Sequence, residues 1–113
     1  MTKSITPFDV VLVPFHFSNL EPGKKRPCLV LACAHPPRLP RHFIAAMMTS
    51  HTTKRFPHDV VLTDHSGAGL PKPTLVRLFK IVTIDETLAI RRLGAISKAD
   101  RGRVSAELKR ILG

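Results

Sequence analysis

Arg26 stands directly before Pro27 and closes a run of three cations, Lys24-Lys25-Arg26. A guanidinium keeps its charge at any physiological pH and carries a planar fork of donors matched to two phosphate oxygens. Pro27 restrains the backbone next to it, so the fork leaves the chain in a defined direction. Lys24 and Lys25, nearer the apex of the turn Glu21–Pro27, read as a solvated electrostatic funnel toward the same ligand. Thr49-Ser50-His51 follows the apolar stretch that ends in Met47 and Met48. It places two hydroxyls, which can hold a phosphate or sugar, beside an imidazole that exchanges protons near neutrality. Arg77 interrupts the apolar run Leu75, Val76, Leu78, Phe79, and a strand-centre arginine must face solvent or pair with an anion. Each group also has a plainer reading: a surface arginine, a turn cap, a surface histidine.

The sequence contains no Gly-rich phosphate loop, no Ser/His/Asp set and no paired carboxylates; Asp9, Asp59, Asp64, Asp85 and Glu86 fall at strand ends or turns. Chemistry on this chain must therefore run on cations, hydroxyls and a histidine. Cleavage of RNA suits that inventory because the substrate supplies its own nucleophile, the 2′-hydroxyl. The protein then has to align the phosphodiester and stabilise charge on pentacovalent phosphorus. DNA lacks that hydroxyl and would need a metal or a protein nucleophile.

The elements that must position these residues are mainly strands. Phe8–Phe15 and Cys28–Ala34 are short, rich in Val and Leu, and flanked by Pro and Gly, which predicts two β-strands around the basic turn. His42–Thr49, Asp59–Thr63, Thr74–Ile84 (one bent strand or two) and Leu88–Ile96 are the further predicted strands, with turns at His35–Pro40 and His65–Pro73. Arg91 and Arg92 should point to opposite faces of the last strand. Ser97 followed by Asp100 matches a helix capping box. Val104, Leu108, Ile111 and Leu112 then recur on one helical face. The expected architecture is a mainly β, strongly curved small sheet, a partly open barrel, with a closing C-terminal helix.

At 113 residues the chain has room for one domain, taken as 1–113. Its hydrophobic fraction of 43% is ordinary for a folded soluble protein. The absence of a long apolar run predicts no membrane span and a cytoplasmic location. The net charge of +10, from 18 Lys and Arg against 8 Asp and Glu, favours polyanions, and would attract an acidic protein equally. Cys28 and Cys33 lie five residues apart on one predicted strand. They should face opposite ways as buried reduced thiols. No ligand spacing suggests a metal or other cofactor.

Taken together, FDVVLVPF, GKKRPCLVL, MMTSH, GLPKPTLVRLFKIVTID and RRLGAIS, in this order, resemble the MazF/PemK (Kid) family of toxins from type II toxin–antitoxin pairs. The resemblance runs from Phe8 to Leu112. It implies an SH3-like barrel acting as a homodimer. It implies metal-independent, sequence-specific cleavage of single-stranded RNA to a 2′,3′-cyclic phosphate and a 5′-hydroxyl, neutralised by an acidic antitoxin. The family's catalytic arginine falls on Arg26 and its catalytic threonine on Thr49. Arg77 matches a strand arginine of the Kid-like branch, but the aspartate of that branch is Phe79 here, and its first-loop histidine is Leu20. The chain is thus closer to the Arg/Thr branch, with Lys24, Lys25, Ser50, His51 and Arg77 as RNA-binding residues. His51 stands where many relatives carry glutamine, and it is this chain's own alternative for proton transfer. The competing readings are a non-catalytic SH3-like module that binds nucleic acid or protein, and a gyrase-directed toxin of the same fold.

Overall fold

The computed structural model describes residues 5–14 and 24–113. The apex of the basic turn (Glu21–Gly23), Phe15 and Leu20 lie outside the described residues. Among the described residues six strands form one antiparallel sheet: β1 (Asp9–Pro14), β2 (Lys25–Ala34), β3 (His42–Thr49), β4 (Asp59–Val61), β5 (Leu75–Asp85) and β6 (Arg91–Ala95). A C-terminal helix, α1 (Lys98–Leu112), follows. The strand order is β4-β5-β3-β2-β1-β6, so the strands bearing Arg26 and Thr49 are neighbours in the middle of the sheet.

Both faces of the sheet are covered, which explains why its strands read as continuous apolar runs instead of alternating ones. On one face Val10, Leu29, Ala46, Met48, Val76 and Leu78 pack with Leu62, Leu70 and Val104 of α1. On the other, Val11, Val13, Cys28, Val30, Phe43 and Met47 pack with Ile5 and Ile84. Burying each of these Val, Leu and Phe side chains contributes about 1.5–3 kcal/mol.

The segment after β4 brings the two sheet edges together. At Gly69 (φ +82°) an added Cβ would lie 2.1 Å from the Leu93 carbonyl oxygen of β6, and at Gly94 it would lie 2.6 Å from the Ala68 oxygen. Backbone thus rests on backbone between the 62–70 segment and β6, an approach only glycine permits. The result is the small, strongly curved sheet with a closing helix that the strand pattern predicted.

β3 starts and ends where predicted, and the other elements differ in instructive ways. The strand expected at Leu88–Ile96 begins only at Arg91, because the Asp85 carboxylate accepts the Thr87 amide at 2.8 Å and turns Glu86–Leu88 into a 3-10 helix. Arg91 and Arg92 pair in register with Leu12 and Val11, and Arg92 reaches Asp9 at 3.1 Å. β4 stops at Val61 because Thr63 gives its amide and hydroxyl to Asp100.

Cys28 and Cys33 do not face opposite ways. A register shift between Val30 and Ala32 reverses the alternation, and both cysteines pack on the same cluster. In α1, Val104 is buried and Leu108 and Ile111 pack against the core. Leu112 is instead 80% exposed in the last turn.

The Ser97 hydroxyl accepts the Asp100 amide at 3.1 Å, as the capping box requires. The Asp100 carboxylate then crosses to the Thr63 and Asp64 amides.

Candidate active site

The β2–β3 ladder pairs Cys28 with Met47. That is the last rung of the ladder, and Arg26 and Thr49 each lie two residues beyond it, at the same end of the two strands. Pro27 is the third residue of β2 and precedes the first rung to β3, at Cys28, so on that side no rung is lost to its missing N–H. It also keeps Arg26 extended.

Two adjoining clefts open here. One, of about 240 Å³, is lined by Arg26, Thr49, Ser50, Pro71, Lys72 and Thr74 among others. The second, of about 150 Å³, is lined by Arg26, Thr49, His51, Arg77 and Lys80 with Met47 and Met48. Arg26, Met48 and Thr49 belong to both clefts. The guanidinium and the alcohol therefore sit on the ridge between two halves of one groove.

The hydroxyl is oriented. Thr49 Oγ1 accepts the His51 backbone N–H at 3.1 Å. With that lone pair engaged, its own proton can be donated outward to an anion.

Arg77 has taken the second of its two predicted options and is paired with an anion. Its Nε and Nη2 reach the two oxygens of Asp59 at 3.2 and 3.0 Å, and Nη2 also donates to the Lys54 carbonyl at 2.8 Å. Its guanidinium carbon lies 3.9 Å from the centre of the Phe56 ring. Arg77 is thus held rigidly at the groove wall with its charge shared by Asp59.

The described residues that line the two clefts include no carboxylate. The described acids are engaged elsewhere. Asp9, Asp59, Glu86, Asp100 and Glu107 form ion pairs. Asp64 and Asp85 accept the Gly67 and Thr87 amides. The basic residues that line the groove are Arg26, Lys72 and Lys80, together with Arg77, which is paired to Asp59. Thiol chemistry has no place: burial pushes Cys28 up to about 12, and burial also raises Cys33.

Of the residues singled out in the sequence, Arg26, Thr49, Ser50, His51 and Arg77 converge on this groove. Lys24 and Lys25 are exposed on the approach to it and line neither cleft. Sequence reasoning missed Lys72, Lys80 and Asp59. The Pro-Lys-Pro at 71–73 was a usable signal for Lys72, because prolines on both sides hold a lysine in an extended segment.

Comparison with known proteins agrees with this architecture. An endoribonuclease from Mycobacterial species, solved in complex with its cognate antitoxin, superposes with a TM-score of 0.72 at 18% identity, covering 97% of this chain and 96% of that one. MazF in a MazE–MazF structure from Deinococcus radiodurans gives 0.69 at 22% identity over 98% and 97%. The Mycobacterium tuberculosis toxin MazF-mt6 gives 0.68 at 18% identity over 92% and 95%. No curated protein matches the sequence. The family described as PemK-like, MazF-like toxin of type II toxin–antitoxin system matches residues 6–112. With that match spanning nearly its whole length, on the sheet and helix described above, the chain belongs to the PemK/MazF-like family of toxins from type II toxin–antitoxin systems.

Proposed function

We propose that this toxin is an endoribonuclease that cuts single-stranded RNA by transesterification, the ribose 2′-hydroxyl acting as nucleophile. The observation that carries the reading is the shared position of Arg26 and Thr49 on the ridge of a groove whose described lining is cationic and free of carboxylates. In the reaction the 2′-oxygen forms a bond to phosphorus and loses its proton, while the bond from phosphorus to the 5′-oxygen breaks and that oxygen gains a proton. The products are a 2′,3′-cyclic phosphate and a 5′-hydroxyl end. Arg26 stabilises the pentacovalent phosphorane with its two-toothed fork, and the Thr49 hydroxyl donates to a non-bridging oxygen. Lys72 on one side of the ridge and Lys80 on the other hold the flanking phosphates, with Ser50 beside them. His51, adjacent to the scissile position, is the group suited to moving a proton. Lys24 and Lys25 draw the polyanion toward the groove.

Because the substrate carries the nucleophile, the step as drawn needs no metal. The natural partner is an acidic antitoxin segment that competes with RNA for the same cations, as the +10 charge favours. The functional unit is a homodimer in the cytoplasm; no helix among the described residues is long and apolar enough to cross a membrane.

The test is incubation of purified protein with single-stranded RNA in EDTA, followed by end analysis. Cyclic-phosphate ends, lost in Arg26→Ala at unchanged folding, support the reading. Cleavage by Arg26→Ala at the parent rate ends the assignment of Arg26. Binding without cleavage by the parent leaves a non-catalytic nucleic-acid module.

A further inference from the structure

β5 does not run evenly along β3. Ala46 faces Ile81, yet the next residue, Met47, faces Arg77, so Leu78, Phe79 and Lys80 form a three-residue bulge with no counterpart on β3. Bulges of this kind bend a strand and re-aim its side chains, and they recur beside active sites. Here the bulge divides two duties. Leu78 turns inward and is buried, while Phe79 is 65% exposed.

A single exposed apolar side chain is ordinary on a protein surface; what sets Phe79 apart is its place on the bulge between Arg77 and Lys80, which both line the groove. Phe79 is also supported from behind. Its ring meets that of Phe56 edge to face, with centroids 6.4 Å apart and planes at 65°. Phe56 in turn is stacked by the Arg77 guanidinium at 3.9 Å and lies 5.7 Å from the Lys80 ammonium. Arg77, its charge shared with Asp59, and the cation Lys80 both line the smaller cleft beside Arg26 and Thr49. Interleaved aromatic rings and cations are the surface on which single strands lie, bases on the rings and phosphates on the charges.

We propose that Phe79, propped by Phe56, is a stacking platform for one unpaired nucleobase of the bound RNA, next to the phosphate held by Arg26 and Thr49. The proposal rests on the ribonuclease reading and adds a base subsite to its groove. Charge favours RNA over a second copy of this chain or another basic surface as the occupant: Lys80 belongs to the bulge itself, and Lys54 and Arg55 precede Phe56 in sequence.

The test uses the unaltered chain with a single-stranded 2′-O-methyl oligonucleotide of mixed sequence, which binds as RNA but lacks the nucleophilic hydroxyl. Affinity is read by anisotropy of a label on the oligonucleotide. Base–aromatic stacking is worth about 1–3 kcal/mol per base, so Phe79→Ala should weaken binding roughly 5- to 150-fold. Phe79→Leu, which keeps apolar area without a ring face, should weaken it similarly, and Phe79→Trp should restore it. The chain has no tryptophan, so the indole of Phe79→Trp is a lone reporter whose emission should be quenched as oligonucleotide binds. Thermal unfolding of each variant checks that the fold is kept.

Affinity within twofold of the parent in Phe79→Ala, or an indole unaffected at saturation, overturns the platform and leaves the nuclease reading standing. A change in sedimentation of the free Phe79→Ala protein with unchanged RNA affinity also overturns it, making Phe79 a protein contact. No oligonucleotide binding by the parent overturns both.

Discussion

His58 and Asp59 are neighbours in sequence that serve opposite regions of the molecule. His58, at a left-handed φ of 66°, lies 2.6 Å from Glu107 of α1. Asp59 faces the other way and grips Arg77 at the groove wall. In the seam between β4 and α1, charges are matched. Asp100 is fully buried yet takes the Thr63 amide and hydroxyl, the Asp64 amide and Arg103, and Glu107 takes His58 and Arg110. In the groove, cations converge on a lining without described carboxylates. The contrast teaches where this basic protein spends its few acids. Asp100 and Glu107 secure the seam and Asp59 braces Arg77 from behind, while the described lining of the groove itself carries basic residues and no carboxylate.

The comparison breaks most sharply at Arg26. Arg26→Ala should lower RNA cleavage by about 10²–10³-fold or more, the loss seen when one donor to a developing oxyanion is removed. Its urea midpoint should stay put. Arg26→Lys should recover only part of the rate, since an ammonium cannot bridge two oxygens. A midpoint that falls along with activity would place Arg26 among the structural charges.

The seam should behave in reverse. Asp100→Ala strands buried amides and a hydroxyl and should cost roughly 1–3 kcal/mol of stability in urea unfolding. Cleavage per folded molecule should hardly change.

pH sharpens the same contrast. Burial alone would raise the Asp100 carboxyl, but the Thr63 amide and hydroxyl, Arg103 and the Asp64 amide together hold it below the ordinary value. On acidification the unfolded chain therefore binds the proton first. The stability that Asp100 contributes is complete above the ordinary carboxylate value and is lost as pH falls through the lower folded one. Urea midpoints measured against pH should show this acid limb, and Asp100→Asn should flatten it. An unaltered limb in Asp100→Asn would mean that other carboxylates carry it.

The smallest effect is expected at Lys72. Lys72→Ala should weaken single-strand binding a few-fold for every sequence alike, and reduce the slope of log K against log salt by about 0.7 for the one phosphate released. A sequence-dependent loss would mean Lys72 reads bases.

Local pattern carried much of this protein into view. Apolar runs bounded by Pro and Gly marked the strands, and β3 was legible end to end, with Thr49 at its last position. Ser97 and Asp100 announced α1. Arg26 before Pro27 and the Thr-Ser-His cluster were visible as chemistry-bearing residue types. What stayed hidden depends on partners distant in sequence. The bulge near Leu31 turns Cys33 to the same side as Cys28, and its position depends on how β2 meets β3. The long reach of Asp100, a contact across 37 residues, was hidden in the same way, whereas the loss of strand at Leu88–Ile90 is the exception and comes from a local side-chain bond.

By itself, then, the sequence determined a basic, mainly β chain with a capped terminal helix, because hydrophobic runs, proline and capping residues act on their own neighbourhood. Only the tertiary structure decided that Arg26 and Thr49 share a ridge, that Arg77 is matched by Asp59, and that Phe79 stands out on a bulge. Those outcomes rest on strand register, and register is settled between strands by packing both faces of the sheet at once.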